Sequence, residues 1–214
     1  MDKRPEAYRL GEVEFYNCRI LLNQNVLIPR QESEILVLHA LERLKGHKGG
    51  TLLDLCTGSG CLGLAIKKAR PDLHVILSDI SSPALECAKN NAQLNLLDVE
   101  FLEGDLLAPL GSRSIDYLIC NPPYISESEY ENLDSSVKDY EPKVALVAGI
   151  YGLDFYSRLS ISLKEHINKG GKVFFEIGKD QGQHALNLFS DPFWKKKEVI
   201  KDWAGHDRFV FLET

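Results

Sequence analysis

From Thr51 onward the chain repeats one pattern: a short apolar run, a turn, then a segment with helical spacing. Strands joined through helices return to run the same way, so this alternation demands a parallel sheet with helices on both faces. Thr51–Leu55 is the first run and Cys61–Ala69 its helix. Residues 73–77 form the next strand, ended by Ser78 and Asp79. Ser82 has the form of an N-cap with Pro83 at the first helical position, opening a helix that runs through Leu94. Strands follow at 99–102 and Ile115–Cys120, the latter stopped by Asn121, Pro122 and Pro123. Residues 152–167 read as a helix, 172–177 as a strand and 181–189 as a helix, and 199–203 with 208–212 close the sheet as an antiparallel pair. The expected fold class is α/β, a doubly wound, mostly parallel sheet.

Ahead of this pattern, residues 8–28 alternate apolar and polar positions, with breaks at Gly11, Asn17, Asn23 and Asn25, as short antiparallel strands do. Residues 1–30 are therefore expected to form a β-hairpin appendage and 31–214 the main domain. Ile35, Leu36, Leu38, Leu41 and Leu44 keep helical spacing, and glycines in 46–50 stop that helix.

With 44% hydrophobic and 26% charged residues, the 214-residue chain has enough apolar content for a core. No apolar run reaches the roughly 18–20 residues of a membrane span, and the start is polar, without a signal-peptide core. The expected location is the cytoplasm, with no membrane partner. A net charge of −6 tilts the partner towards protein, because affinity for a phosphate backbone comes from Lys and Arg. The five cysteines are odd in number and form no Cys-x-x-Cys clip, so they are expected as reduced thiols. The six histidines show no ligand spacing, and no metal is expected.

The turn after the first strand carries the first chemical signal. Asp54, Cys56, Thr57, Gly58, Ser59 and Gly60 lead to Gly63, so the glycines fit Gly-x-Gly-x-x-Gly, and Asp79 follows at the end of the next strand. Such glycines permit a tight turn and close backbone approach, and the spaced acid suits ribose hydroxyls. Asp54 at the mouth of the turn would repel a pyrophosphate but suits a cationic cofactor, which favours S-adenosylmethionine over a dinucleotide. Asp105 and Leu106, after the third strand, are candidates to meet the adenine. The competing reading makes Asp54 and Asp79 ordinary strand-end caps.

The second signal is Asn121-Pro122-Pro123-Tyr124, on the same sheet edge. An amide or aromatic amine nitrogen is a poor nucleophile because its lone pair is conjugated. Two acceptors, the Asn121 side-chain oxygen and the Pro122 carbonyl, would orient such an NH2 group and stabilise charge as it develops. The two prolines stiffen the loop, Tyr124 offers a ring to the planar group, and catalysis is then mostly positioning.

These two motifs resemble those of the release factor glutamine methyltransferase (HemK/PrmC) family, from about Tyr8 to the C-terminus. The segment Leu27-Ile28-Pro29-Arg30-Gln31-Glu32-Ser33-Glu34 is similar to the family's Leu-Ile-Pro-Arg-Pro-Glu-Thr-Glu. Glu141-Pro142 with Ala145, Leu146 and Gly149, then Gly152, Leu153 and Tyr156, match its downstream loop, and the 202–208 segment resembles its closing Asp-x-x-Gly-x-Asp-Arg. The resemblance implies a class I S-adenosylmethionine-dependent, Rossmann-like fold with a seven-stranded sheet. It also implies methylation of N5 of the glutamine in the Gly-Gly-Gln motif of class I peptide chain release factors. Gln31 stands where the family usually has proline, and the family's helical N-terminal domain is not seen.

Asn-Pro-Pro-Tyr is shared with N6-adenine methyltransferases, which work on a flipped base and usually carry a target-recognition region. The rival functions beyond that one are methylation of a ribosomal-protein glutamine, non-catalytic binding of S-adenosylmethionine and NAD-dependent oxidoreduction. Asp54 disfavours the oxidoreductase, and the intact Asn-Pro-Pro-Tyr disfavours the non-catalytic module. Arg30, Glu32 and Glu34 are candidates to orient the cofactor's methionine end or the partner, against a plain ion-paired helix start. Lys195, Lys196 and Lys197 read as a solvated face, and Trp194 and Trp203 as packing residues.

Overall fold

A computed structural model describes residues 4–214; Met1, Asp2 and Lys3, the start of the polar N-terminal stretch, lie outside the described residues. The elements in chain order are α1 (Glu6–Leu10), β1 (Glu12–Phe15), β2 (Cys18–Leu21), α2 (Gln31–Arg43), β3 (Thr51–Leu55), α3 (Cys61–Ala69), β4 (His74–Asp79), α4 (Ser82–Leu94) and β5 (Glu100–Glu103). They continue with β6 (Ile115–Cys120), α5 (Glu127–Glu131), α6 (Ser135–Lys138), α7 (Asp154–Ser162), β7 (Ile167–Glu176), α8 (Gly182–Leu188), β8 (Lys196–Lys201) and β9 (Asp207–Glu213). No helix among the described residues is long and apolar enough to cross a membrane.

Seven strands form one sheet in the order β5-β4-β3-β6-β7-β9-β8. The first five run parallel, and β9 is antiparallel to both β7 and β8. Both faces are covered, and the strands alternate between two cores. Leu52, Tyr117, Ile119, Phe174, Phe209 and Phe211 face the layer of α2, α3 and α4. Leu53, Leu55, Leu118, Phe175, Val210 and Leu212 face the layer of α7 and α8. Burial on both sides is why these strands read as nearly continuous apolar runs. From β3 the chain winds outward through β4 to β5, then jumps back across to β6. The carboxyl ends of β3 and β6 therefore flank a crevice, the place where open α/β sheets hold ligands.

The N-terminal strands pair as a separate hairpin, joined by Tyr16 and Asn17, both at positive φ (43° and 65°). Such a two-residue turn matches the twist of the strands it joins. The hairpin buries Phe15, Cys18 and Ile20 in the α2–α4 core. Asn91 of α4 fixes its outgoing end: its Oδ1 accepts the Leu21 N–H at 2.7 Å and its Nδ2 donates to the Leu21 carbonyl at 3.1 Å. Tyr8 lies in α1 rather than in a strand, and its hydroxyl donates to the Val26 carbonyl at 2.6 Å.

Several boundaries differ from the sequence expectation. The cap of α4 is Ser81, whose Oγ accepts the Ala84 N–H, with Ser82 already in the helix. The expected helix over 152–167 is α7 at Asp154–Ser162 plus one 3-10 turn, because Ile167 pairs beside Ile115 and starts β7 five residues early. β8 covers Lys196–Lys201 rather than 199–203. Asp202 Oδ1 accepts the Ala204 and His206 N–H groups, which turns the chain there and leaves Trp203 86% exposed instead of packed. Trp194 is buried against Phe189 and Phe193. Lys196 and Lys197 lie on the edge strand β8, where lysines discourage pairing with another chain.

Candidate active site

The glycine turn leaves β3 at the crevice and enters α3. Cys56 (φ 56°), Gly58 (53°) and Gly60 (83°) all take left-handed backbone, and the Gly60 N–H donates to the Thr57 carbonyl at 2.8 Å. Gly63 serves packing: a Cβ there would lie 2.3 Å from Leu77 Cδ2 and 2.9 Å from Asp54 Cβ. Asp54 is fully buried beneath the loop, not at its mouth. Its Oδ2 accepts the Thr57 hydroxyl at 2.5 Å and the Gly63 N–H at 2.8 Å, while Oδ1 has no hydrogen-bond partner among the described residues. Burial pushes its carboxyl up to about 7 despite those two hydrogen bonds. Asp54 therefore braces the turn from below, and it is not among the residues lining the cavity above.

That cavity is walled by Gly58, Ser59, Ile80, Ala84, Asn121 and Phe155, with Cys56, Thr57, Asp79 and Pro123 also on its surface. Asp79, at the end of β4, is the single charged residue among the described residues lining it. Its Oδ2 accepts the Gly58 N–H and its Oδ1 the Ser81 N–H, both at 2.9 Å. Burial raises its pKa, opposed by those N–H groups. A Cβ on Gly58 would meet nothing within 4 Å. Asp105 and Leu106 do not reach the cavity. Gly104 packs on Pro109, where a Cβ would fall 2.5 Å from Cγ, and Leu106, at φ 48°, turns into the α7–α8 core. Asp105 is left half-exposed in an ion pair with Arg158.

The Asn-Pro-Pro-Tyr loop leaves β6 on the other side of the crevice. Asn121 lines both the first cavity and a second one, which Pro122 and Tyr124 also line. Asn121 Nδ2 donates to Ser33 Oγ at 3.2 Å, and Ser33 Oγ donates to Glu176 Oε2 at 2.7 Å. The Tyr124 hydroxyl reaches Glu176 Oε1 at 3.4 Å. Glu176, at the end of β7, is 1% exposed, and burial raises its carboxyl to about 7 against the pull of Ser33 and Arg208. Burial and the facing Glu176 carboxylate push the Tyr124 phenol up. The loop's backbone is held by Gln181, whose Nε2 donates to the Tyr124 carbonyl at 2.9 Å and to the Gly152 carbonyl at 3.2 Å.

The matched family model is the methyltransferase small domain, over residues 32–136. The release factor glutamine methyltransferase of Chlamydia trachomatis serovar L2 is 44% identical over 214 residues, all of this chain and 73% of that protein. The protein of that name from Enterococcus faecalis is 41% identical over 98% of this chain and 76% of its own length. The chain belongs to the release factor glutamine methyltransferase family. A solved protein-(glutamine-N5) methyltransferase, release factor-specific, from Alicyclobacillus acidocaldarius is 26% identical, with a TM-score of 0.56 over 87% of this chain and 93% of that one.

In this member of the release factor glutamine methyltransferase family, the segment before α2 is clamped to the Glu-Pro loop. Arg30 Nη2 donates to Glu141 Oε1 at 2.5 Å, and Glu141 Oε2 accepts the Ile28 N–H at 3.3 Å. Arg30 lines the second cavity beside Leu133, Val137 and Leu146. Glu34 accepts the Tyr16 N–H at 2.8 Å and so ties α2 to the hairpin turn. Asn91 Nδ2 also donates to the Ser59 carbonyl at 2.9 Å, linking hairpin, α4 and glycine turn. Glu176, Gln181 and Asn91 carry no motif that marks them in the sequence, and Ser33 falls in the Leu27–Glu34 segment with nothing there to assign it a role. Glu176 leaves a trace, being a carboxylate inside the apolar run from Val173 to Ile177, where a charge needs a partner.

Proposed function

We propose that this chain transfers the methyl group of S-adenosylmethionine to the N5 amide nitrogen of the glutamine in the Gly-Gly-Gln motif of class I peptide chain release factors. The observation that carries this reading is Asn121 standing in the wall common to two adjoining cavities. One cavity suits the cofactor and the other a planar NH2 group.

The first cavity fits S-adenosylmethionine on its own chemistry. It presents one carboxylate and no Lys or Arg among the described lining residues, which suits a ligand with ribose hydroxyls and positive charge but no phosphate. Each Asp79 oxygen already accepts one backbone N–H, which fixes the carboxylate and leaves lone pairs for ribose hydroxyls. Gly58 keeps the floor open where a side chain would intrude. Cys56, Thr57, Ser59 and Gly60 supply the rest of the turn. When bound, S-adenosylmethionine supplies an electrophilic methyl on its sulfonium.

This chain's residues then position the acceptor. Asn121 Oδ1 and the Pro122 carbonyl accept the two N–H groups of the glutamine amide, holding its nitrogen towards the first cavity and stabilising the positive charge that grows there. Pro123 stiffens the loop, and Tyr124 walls the second cavity against the planar amide. Two glycines before the glutamine let its backbone enter a narrow opening. The work is orientation for in-line attack. The reaction belongs in the cytoplasm, where release factors act.

The test is mass spectrometry of a release factor incubated with this protein and S-adenosylmethionine. The expected result is a gain of one CH2 on the Gly-Gly-Gln peptide and none on a Gln→Glu variant, which lacks both donors. Turnover on an adenine-containing oligonucleotide exceeding that on the release factor would overturn the acceptor assignment.

A further inference from the structure

The two ends of an asparagine amide have nearly the same shape, so shape alone does not decide which end Asn121 turns to the second cavity. Hydrogen bonding decides it. Ser33 Oγ stands between two groups, 2.7 Å from Glu176 Oε2 and 3.2 Å from Asn121 Nδ2. A hydroxyl has one proton and two lone pairs, whereas a carboxylate can only accept. Ser33 must therefore give its proton to Glu176, and Asn121 meets only lone pairs. The Asn121 amide can satisfy those only with its Nδ2–H, which leaves Oδ1 free of any partner among the described residues.

We propose that Glu176 is a positioning residue that acts through Ser33 to set the Asn121 amide, so that Oδ1 faces the acceptor N–H. This rests on the function proposed above and deepens it. Neither Glu176 nor Ser33 needs to touch the reacting atoms. Their effect is to keep a hydrogen-bond acceptor, instead of a donor, at the place where N–H groups arrive.

Several groups face Glu176. Arg208 of β9 lowers its pKa, Glu32 of α2 raises it, and the Tyr124 hydroxyl approaches Oε1. The Tyr156 hydroxyl of α7 donates to the Glu176 backbone carbonyl at 2.6 Å, and Cys61 at the start of α3 feels the same carboxylate. Arg208 is itself held by Asp202 at 3.3 Å and the Ile177 carbonyl at 3.4 Å. When Glu176 takes a proton it can donate to Ser33. The Ser33 proton is then released towards Asn121, and the opposite amide orientation becomes favourable. Orientation, and with it kcat, should follow the Glu176 charge, which burial sets near neutrality.

The test compares wild type, Ser33→Ala, Ser33→Thr and Glu176→Gln on release factor at saturating cofactor. Ser33→Ala is expected to lower kcat about tenfold or more, with KM for release factor and cofactor affinity within about twofold, the pattern of a transition-state contact. Threonine keeps the hydroxyl and should restore most of the loss. Wild-type kcat should fall as pH drops below about 7, and Glu176→Gln, which has no proton to take up in that range, should be flat there. An unchanged kcat in Ser33→Ala, a threonine variant as poor as alanine, or an acid limb surviving in Glu176→Gln would each overturn the relay.

A readout without turnover separates the two readings. The Asn121 side-chain NH2 resonances, assigned by their loss in Asn121→Asp, should shift with pH in wild type but not in Ser33→Ala. If wild type methylates no release factor yet these resonances titrate through Ser33, the relay stands and the proposed acceptor falls. If Ser33→Ala methylates release factor normally, the relay falls and the proposed function stands.

Discussion

Cutting the clamp between Arg30 and Glu141 from its two ends should cost different amounts, and the difference follows from burial. The Glu141 side chain is 1% exposed, whereas that of Arg30 is 37% exposed. Arg30→Ala leaves a buried carboxylate with the Ile28 N–H as its remaining hydrogen-bond donor, at 3.3 Å. Breaking a buried pair in this way costs about 3–5 kcal/mol, because the stranded charge stays out of water. Glu141→Gln instead leaves a cation that swings into solvent, and its amide still accepts the Ile28 N–H. Discounted for that exposure, the cost is about 1 kcal/mol. At about 2–4 °C per kcal/mol for a domain of this size, the melting temperature should fall by about 6–20 °C in the first variant and by about 2–4 °C in the second. Thermal unfolding checked by urea titration measures both. Equal losses, or a larger loss in Glu141→Gln, would refute the reasoning.

Three further outcomes can be measured directly. Asp79→Ala should weaken S-adenosylmethionine binding by about 1.5–3 kcal/mol, the range for charged hydrogen bonds, and calorimetry reads it. Asn121→Ala should keep the fold and lower kcat by about 10²–10³, as loss of one well-placed transition-state contact does; a change confined to KM would reduce Asn121 to a docking role. Gly152→Ala would put a Cβ 2.1 Å from the Tyr124 carbonyl at a φ of 68°, so the Asn-Pro-Pro-Tyr loop must shift. Methyl transfer should fall more than thermal stability does, since a misplacement of about 1 Å can cost about 10²-fold in rate.

The parts of the fold legible in the sequence are those where burial dictates the pattern. β3, α3 and β6 fall on the expected residues because each is a closed apolar run or an amphipathic one opened by a glycine turn. Strand β7 begins earlier than the expected 172–177 because its N-terminal end pairs through Ile167 with Ile115, a neighbour distant in sequence. The glycine turn and Asn-Pro-Pro-Tyr are visible because they need particular backbone: positive φ in one, proline stiffness in the other. Which way a carboxylate faces is different. Asp54 lies near the end of β3 and Asp105 just past β5, and only packing places one under the loop and the other in solvent with Arg158. Ser33 meets Glu176 across 143 positions of sequence, and Gln181 meets Tyr124 across 57. No local signal announces such pairs.

The buried position of Asp54 has a consequence for stability against pH. Its carboxyl titrates at about 7 in the folded chain, against 3.8 when exposed, because burial penalises the charged form. Between those values the folded chain holds a proton that the unfolded chain has released. Stability must therefore fall as pH rises through that window, by at most about 1.4 kcal/mol per pH unit for one group, and level off above it. Glu176, raised from 4.5 to about 7, adds a slope of the same sign. Asp54→Asn removes only the first contribution. Its side-chain oxygen can still accept from the Thr57 hydroxyl and the Gly63 N–H, so the loop brace survives. The stability of wild type minus that of the variant should thus decline from about pH 4 to about pH 7 and then stay constant. Denaturant unfolding at closely spaced pH values gives that difference directly. Parallel curves would mean that Asp54 keeps its charge in the folded state, and that the partnerless Oδ1 is solvated or paired in solution.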